Sequence, residues 1–177
     1  MAIARGEQLK EILAELGISP DLIETRGLPL CAEPEALEVA EVGDDGREYR
    51  LTPAAAAAWR KMKAAAAVEG VVLKLISAFR SIDRQVEILR EKLAEGQTVE
   101  EILSASAPPG YSEHHTGRAI DINTPGARAL EEEFENTDAF AWLSANAAAH
   151  GFSLSYPRDN VYGFIYEPWH WCFRADR

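Results

Sequence analysis

The stretch Ser112-Glu113-His114-His115-Thr116-Gly117-Arg118-Ala119-Ile120-Asp121-Ile122-Asn123 decides how this 177-residue chain is read. Its second half, Arg118 to Asn123, predicts a short strand. Period-two alternation puts Ala119 and Asp121 on one face and Ile120 and Ile122 on the other. An acid opposite two isoleucines suits a cleft beside a core. The first half is a polar loop holding two of the four histidines. Upstream, a Pro108-Pro109-Gly110 break separates this loop from helical sequence. Thr98 and Glu101 form a capping box for a short helix to about Ala105. Ser81 caps another helix, with Ile82, Val86, Leu89 and Leu93 on one face. Val71 to Ile76 reads as a strand extending towards Phe79. Thr52-Pro53 starts an alanine-rich helix that runs to Val68 and ends at Gly70.

Further from the loop, residues 5–16 read as an amphipathic helix stopped by Gly17. Residues 18–51 read as irregular chain with one hairpin around Asp45-Gly46. Downstream come helices at about 126–135 and 138–149, the second capped by Thr137 and closed by Gly151. A strand at Phe152–Leu154 and a strand pair over Tyr162–Tyr166 and Trp169–Arg174 complete the pattern. Helices first and short strands late predict an α+β fold rather than a parallel α/β sheet. The length fits a single domain, 1–177. Residues 1–69 form its helical and irregular part and 70–177 its core.

Composition narrows the partners. Eighteen basic against 29 acidic residues give a formal charge of −11, which repels phosphate backbones and anionic lipid surfaces. Nucleic acid is therefore excluded as a general partner. No run approaches the roughly 20 apolar residues of a membrane span. The opening segment MAIARGEQLKEILAELG lacks the apolar core of an export signal. The expected location is the cytoplasm if this N-terminus is native, and the cell envelope or periplasm if a signal was removed. Cys31 and Cys172 allow one bridge, though two buried thiols are the expected state.

Zinc takes imidazole nitrogen and carboxylate oxygen, and catalytic sites use three protein ligands with a fourth position for water. His114, Asp121 and His170 could supply such a trio. Glu167, three residues before His170, could stand beside the metal as the base for its water. By spacing alone, the His114–Asp121 pair reads equally well as a hydrogen bond anchoring a loop. Trp169 and Trp171 alternate with His170 and read as core. His115 reads as a solvated or outer residue, His150 as a helix-end residue, and Tyr156 and Tyr162 as packing. The run Glu131-Glu132-Glu133 with Glu135 reads as a solvated helix face.

Three ordered motifs carry a resemblance. Ser112 to Asp121 resembles the S-x-H-x-x-G-x-A-x-D signature of the VanY-type D-alanyl-D-alanine carboxypeptidases. Glu167-Pro168-Trp169-His170 resembles their E-x-W-H signature, and Ser77 to Ser81 their S-x-x-R-S turn. The family also includes VanX-type dipeptidases, some phage endolysin peptidases and the Hedgehog signalling domain. The resemblance implies a small antiparallel sheet packed against helices, with one Zn²⁺ held in a cleft by His114, Asp121 and His170. It implies Glu167 as general base and acid, and Arg80 as the group that meets the substrate or the developing oxyanion. Ser112 and Gln85 fall where they could bind the terminal carboxylate of a peptide. The implied substrate is a peptidoglycan stem peptide or another D-Ala-terminated peptide. Alternatives that keep the same chemistry are a D,D-dipeptidase, an L,D-carboxypeptidase and an endolysin-type endopeptidase. A zinc-stabilised binding domain without hydrolysis is the alternative from another class. Cys172 stands where the family often has a basic residue, on the same strand face as His170.

Overall fold

The structure is a computed structural model that describes residues 2–174. Its first half runs α1 (Ala2–Glu15), α2 (Pro20–Thr25), β1 (Glu38–Val42), β2 (Glu48–Leu51), α3 (Pro53–Val68) and β3 (Lys74–Ser77). Then follow α4 (Ile82–Ala94), α5 (Val99–Ala105), β4 (Ala119–Asn123), α6 (Asp138–Asn146), β5 (Phe152–Leu154) and β6 (His170–Phe173). Single 3₁₀ turns cover Glu113–Thr116, Glu132–Asn136 and Ala147–His150. This is a mixed α+β fold with two small antiparallel sheets.

Caps set most helix starts. Ser81 Oγ accepts the Arg84 N–H at 3.1 Å, and Thr137 Oγ1 accepts that of Phe140 at 3.2 Å. Thr98 and Glu101 close the capping box reciprocally. Thr52 occupies the cap position of α3, but its side chain makes no capping bond. Pro53 and the alanines that follow suffice to start that helix.

The hairpin β1–β2 forms around Asp44-Asp45-Gly46, and Trp59 of α3 donates to Glu41 Oε2 at 2.9 Å to hold α3 against it. The larger sheet has the order β3-β4-β6-β5, with every neighbour antiparallel. Ile120, Ile122 and Trp171 turn one face towards α3 and α6, where Trp59, Met62 and Leu143 are fully buried. Burying each such side chain contributes roughly 1.5–3 kcal/mol. A second cluster joins Leu13 and Leu16, Ile23 of α2, Leu89 of α4, and Ile102 and Leu103 of α5 to Tyr156 and Phe164. Arg26 ties it together, donating to Leu103 O and Tyr162 O and lying 4.3 Å from the Phe164 ring centroid. The register of β4 on its neighbours brings Ser77, Asp121 and His170 side by side across three strands.

Three expectations are corrected. The strand predicted from Val71 begins only at Lys74, because Val71 N–H bonds Ala66 O and closes α3 behind Gly70, at φ +79°. The helix predicted at 126–135 is a turn at Thr124–Ala127 followed by a 3₁₀ turn, with Leu130 left-handed between them. Tyr162–Tyr166 is not a strand. Asn160 takes up the Phe164 N–H and C=O with its own side chain, and Ile165 N–H bonds Ser104 O, so no ladder forms. Both cysteines are buried free thiols, so the bridge is absent.

Gly117 shows why the loop before β4 needs glycine. It ends the 3₁₀ turn at φ +63°, and a Cβ there would stand 2.8 Å from Leu37 and 3.3 Å from Pro34 and Thr52. Its carbonyl accepts the Thr52 N–H at 2.9 Å. Gly117→Ala is expected to cost at least about 1–2 kcal/mol from the left-handed backbone alone. Each kcal/mol lowers the melting midpoint of a chain this size by roughly 2–4 °C, which differential scanning calorimetry would register.

Candidate metal centre

Two segments fold against each other to place His114. Its Nδ1–H donates to Ala78 O at 2.7 Å, just beyond β3, while Arg80 N–H bonds His114 O at 3.2 Å. Next to it, His115 donates from Nδ1 to Arg80 O at 2.7 Å and accepts the Gly110 N–H on Nε2 at 3.1 Å. His115 is thus fully buried and pins the loop, where the sequence predicts a solvated or outer residue.

His114, Asp121 and His170 each offer a ligand atom, and these atoms lie within 4.8 Å of one another. His114 Nε2 is 3.2 Å from Asp121 Oδ2, and His170 Nδ1 is 3.0 Å from Asp121 Oδ1. The two imidazoles meet edge to face with centroids 4.9 Å apart. All three side chains are buried. Glu167, in the turn before β6, brings Oε2 to 3.7 Å from His170 Nδ1, on the Asp121 side of that ring.

A carboxylate that sequence reasoning did not single out completes the group. Glu113 Oε2 lies 3.0 Å from His170 Nε2 and accepts the Ser155 hydroxyl at 2.5 Å, while the Arg174 guanidinium binds Oε1. In sequence Glu113 is one more acid in a polar loop. Only the return of Ser155 and Arg174 from distant positions buries it. Tyr156 lies over His170 with ring centroids 4.6 Å apart, so it belongs to the site as well as to the packing.

The electrostatics favour a cation. Three carboxylates, Glu113, Asp121 and Glu167, are buried together. Burial opposes ionisation of Asp121, yet the two imidazoles hold it well below the usual carboxylate range. Burial lowers His114, whereas the Asp121 and Glu113 carboxylates overcome burial at His170 and raise it to about 10. Glu113 resists burial through its bonds to His170, Ser155 and Arg174 and stays at about 2. Burial pushes Glu167 up to about 7, with Asp121 and Glu113 acting in the same direction against His170 and Arg80.

Both histidines bond outward through one ring nitrogen, leaving the other turned towards Asp121. That is how metal-ligating histidines are held. Two imidazoles and one carboxylate make the donor set of a catalytic zinc site. On this geometry the trio fits a divalent zinc ion. Cys172 shares the face of His170 but remains a buried thiol outside the trio, pushed up to about 12 by burial and by Glu113.

Arg80 stands beside the trio with NH1 on Gln85 Oε1 at 2.9 Å and NH2 on Ser77 Oγ at 3.2 Å. Gln85, expected as a carboxylate-binding group, is fully buried, and its Nε2 donates to Ala107 O at 2.7 Å. Its amide is therefore committed to aiming Arg80. Ser112 is buried at the head of the 3₁₀ turn and makes no capping bond. Lys92, one more cation not singled out in sequence, donates to Ser106 Oγ at 2.7 Å, and burial, with Arg80 acting in the same direction, lowers its pKa.

The family model of VanY, D-alanyl-D-alanine carboxypeptidase, matches residues 48–176. Over 119 residues the chain is 35% identical to a D-alanyl-D-alanine carboxypeptidase of Enterococcus faecalis (strain ATCC 700802 / V583), covering 62% of this chain and 42% of that protein. The chain spans less than half the length of the curated relatives that it matches at 33–38% identity. Among solved structures, the LdcB LD-carboxypeptidase superposes with a TM-score of 0.71 at 32% identity, over 80% of this chain and 69% of the other. A mutant of the vancomycin-resistance D,D-pentapeptidase VanY in complex with Zn(II) gives 0.62 at 29%, over 84% and 88%. The matched region spans well over half of the chain and contains every residue of the centre described above, and on that ground the chain belongs to the VanY family of D-alanyl-D-alanine carboxypeptidases.

Proposed function

We propose that this protein is a zinc carboxypeptidase that removes the terminal D-alanine from peptidoglycan stem peptides. The observation that carries the reading is the His114–Asp121–His170 trio with Glu167 beside it, both histidines held from behind. Zinc held there supplies Lewis acidity and brings the pKa of a bound water down to about 7. Glu167 is placed to take the proton that the attacking water gives up and to hand it to the leaving amine. A carboxyl group raised towards neutrality by burial suits both halves of that transfer. Arg80, fixed by Ser77 and Gln85, is the preorganised positive group for the developing oxyanion or the substrate carboxylate. Ser112, buried at the head of the Glu113–Thr116 turn with no capping bond, is the hydroxyl offered to the substrate carboxylate. A peptidoglycan substrate would put this work at the cell envelope.

The D,D bond is favoured by the family match and by a VanY structure described in complex with D-alanine-D-alanine, at TM-score 0.63. One observation favours a second reading, an L,D cut: the likeness to LdcB is closer, at 0.71. Incubating the zinc-loaded protein with pentapeptide and tetrapeptide muropeptides and with free D-Ala-D-Ala, and identifying products by mass spectrometry, separates these. Pentapeptide shortened by one alanine is the expected result. Cutting of tetrapeptide alone would establish the L,D reading, and no cleavage of any of them would overturn both.

A further inference from the structure

Glu113 is a buried acid with no part in the chemistry above, yet it is more heavily braced than any group that has one. Its three bonds come from two pieces of chain: Ser155 just after β5, and His170 and Arg174 at the two ends of β6. We propose that Glu113 is a positioning residue that fixes the tautomer of His170, and so decides whether that imidazole can face a metal. The inference rests on the reading of the trio as a zinc site.

His170 sits between two carboxylates, with Nδ1 3.0 Å from Asp121 and Nε2 3.0 Å from Glu113. A neutral imidazole carries one N–H. If that proton sits on Nδ1, it bonds Asp121, and Nδ1 has no lone pair left to ligate a cation. If it sits on Nε2, Glu113 accepts it and Nδ1 is free to ligate. Glu113 imposes the second state because Ser155 and Arg174 keep its carboxylate aimed at Nε2. Tyr156, tilted by 33° against the ring at 4.6 Å, restricts the rotation that would undo the choice. His114 has the same arrangement with a backbone acceptor, Ala78 O. A carbonyl cannot be lost by substitution, so Glu113 is where the arrangement is open to test.

The experiment uses Glu113→Gln and Ser155→Ala in the full chain. It measures zinc affinity by competition with a chromophoric chelator, and the His170 tautomer by ¹⁵N NMR. Outer partners of metal-bound histidines are worth roughly 10–100-fold in affinity. Glu113→Gln is expected to weaken zinc by that factor, with a smaller loss in Ser155→Ala. In the zinc-loaded protein the parent should show a sharp His170 Nε2–H with Nδ1 unprotonated, and Glu113→Gln a broadened or exchanging Nε2–H. A folded Glu113→Gln protein that binds zinc within twofold of the parent would overturn the proposal. Should that variant not fold, an unchanged affinity and tautomer in Ser155→Ala would overturn it equally. A parent protein that binds no zinc would instead defeat the metal-site reading itself.

Discussion

Glu167→Gln is expected to retain one equivalent of zinc while losing hydrolysis of D-alanine-terminated peptides by roughly 10²–10⁴-fold or more, the contribution of a positioned general base. The amide has nearly the same shape and can fill the same buried turn, so Glu167 N–H to Tyr156 O and His170 N–H to Glu167 O survive. What disappears is, among the described residues, the one buried carboxyl group at the trio that has no strong partner. Asp121 is committed to two imidazoles and Glu113 to three donors, so neither can take over the proton. The measurement is kcat on a defined acyl-D-Ala-D-Ala peptide beside metal content by mass spectrometry. Near-parent turnover at full zinc occupancy would remove Glu167 from the mechanism.

His114→Ala is expected to fail earlier, at the metal. Removing one of three ligands should weaken zinc by more than the roughly 10–100-fold that an outer partner is worth. Protein recovered by gel filtration would then carry well under one equivalent, and activity would fall with it. The substitution also leaves Ala78 O without its 2.7 Å donor in a buried position, which costs about 1–3 kcal/mol. The variant should therefore melt earlier as well as bind less. Stoichiometric zinc in purified His114→Ala would contradict the ligand assignment, whatever its activity.

Most of the helices were legible because their signals are local. Ser81, Thr98 with Glu101, and Thr137 each announce a helix with a bond that spans three residues. Residue type suggested His114, Asp121 and His170 as a trio, spacing alone left His114–Asp121 open as a loop anchor, and the motif resemblance favoured the trio; Asp121 and His170 do lie opposite each other across β4 and β6. What stayed hidden depends on chain far away. Glu113 looks like a surface acid until Ser155 and Arg174 arrive. Gln85 looks like a free polar group on a helix until Ala107 and Arg80 take both ends of its amide. The apolar residues Tyr162 to Tyr166 have strand-like composition, but the side chain of Asn160 and the Ser104 carbonyl claim their backbone. Composition carries no trace of that competition.

The position of β6 governs the order of assembly. It is last in sequence among the strands but lies inside the sheet, between β4 and β5. Until it emerges during synthesis, β5 has no neighbour and β4 pairs only with β3. His114 and Asp121 can approach each other early, but His170, Glu167 and Arg174 all travel on the stretch from 167 to 174. The centre is therefore incomplete until β6 and Arg174 have joined the sheet, and a fragment cut before Glu167 should be unable to hold the ion or act.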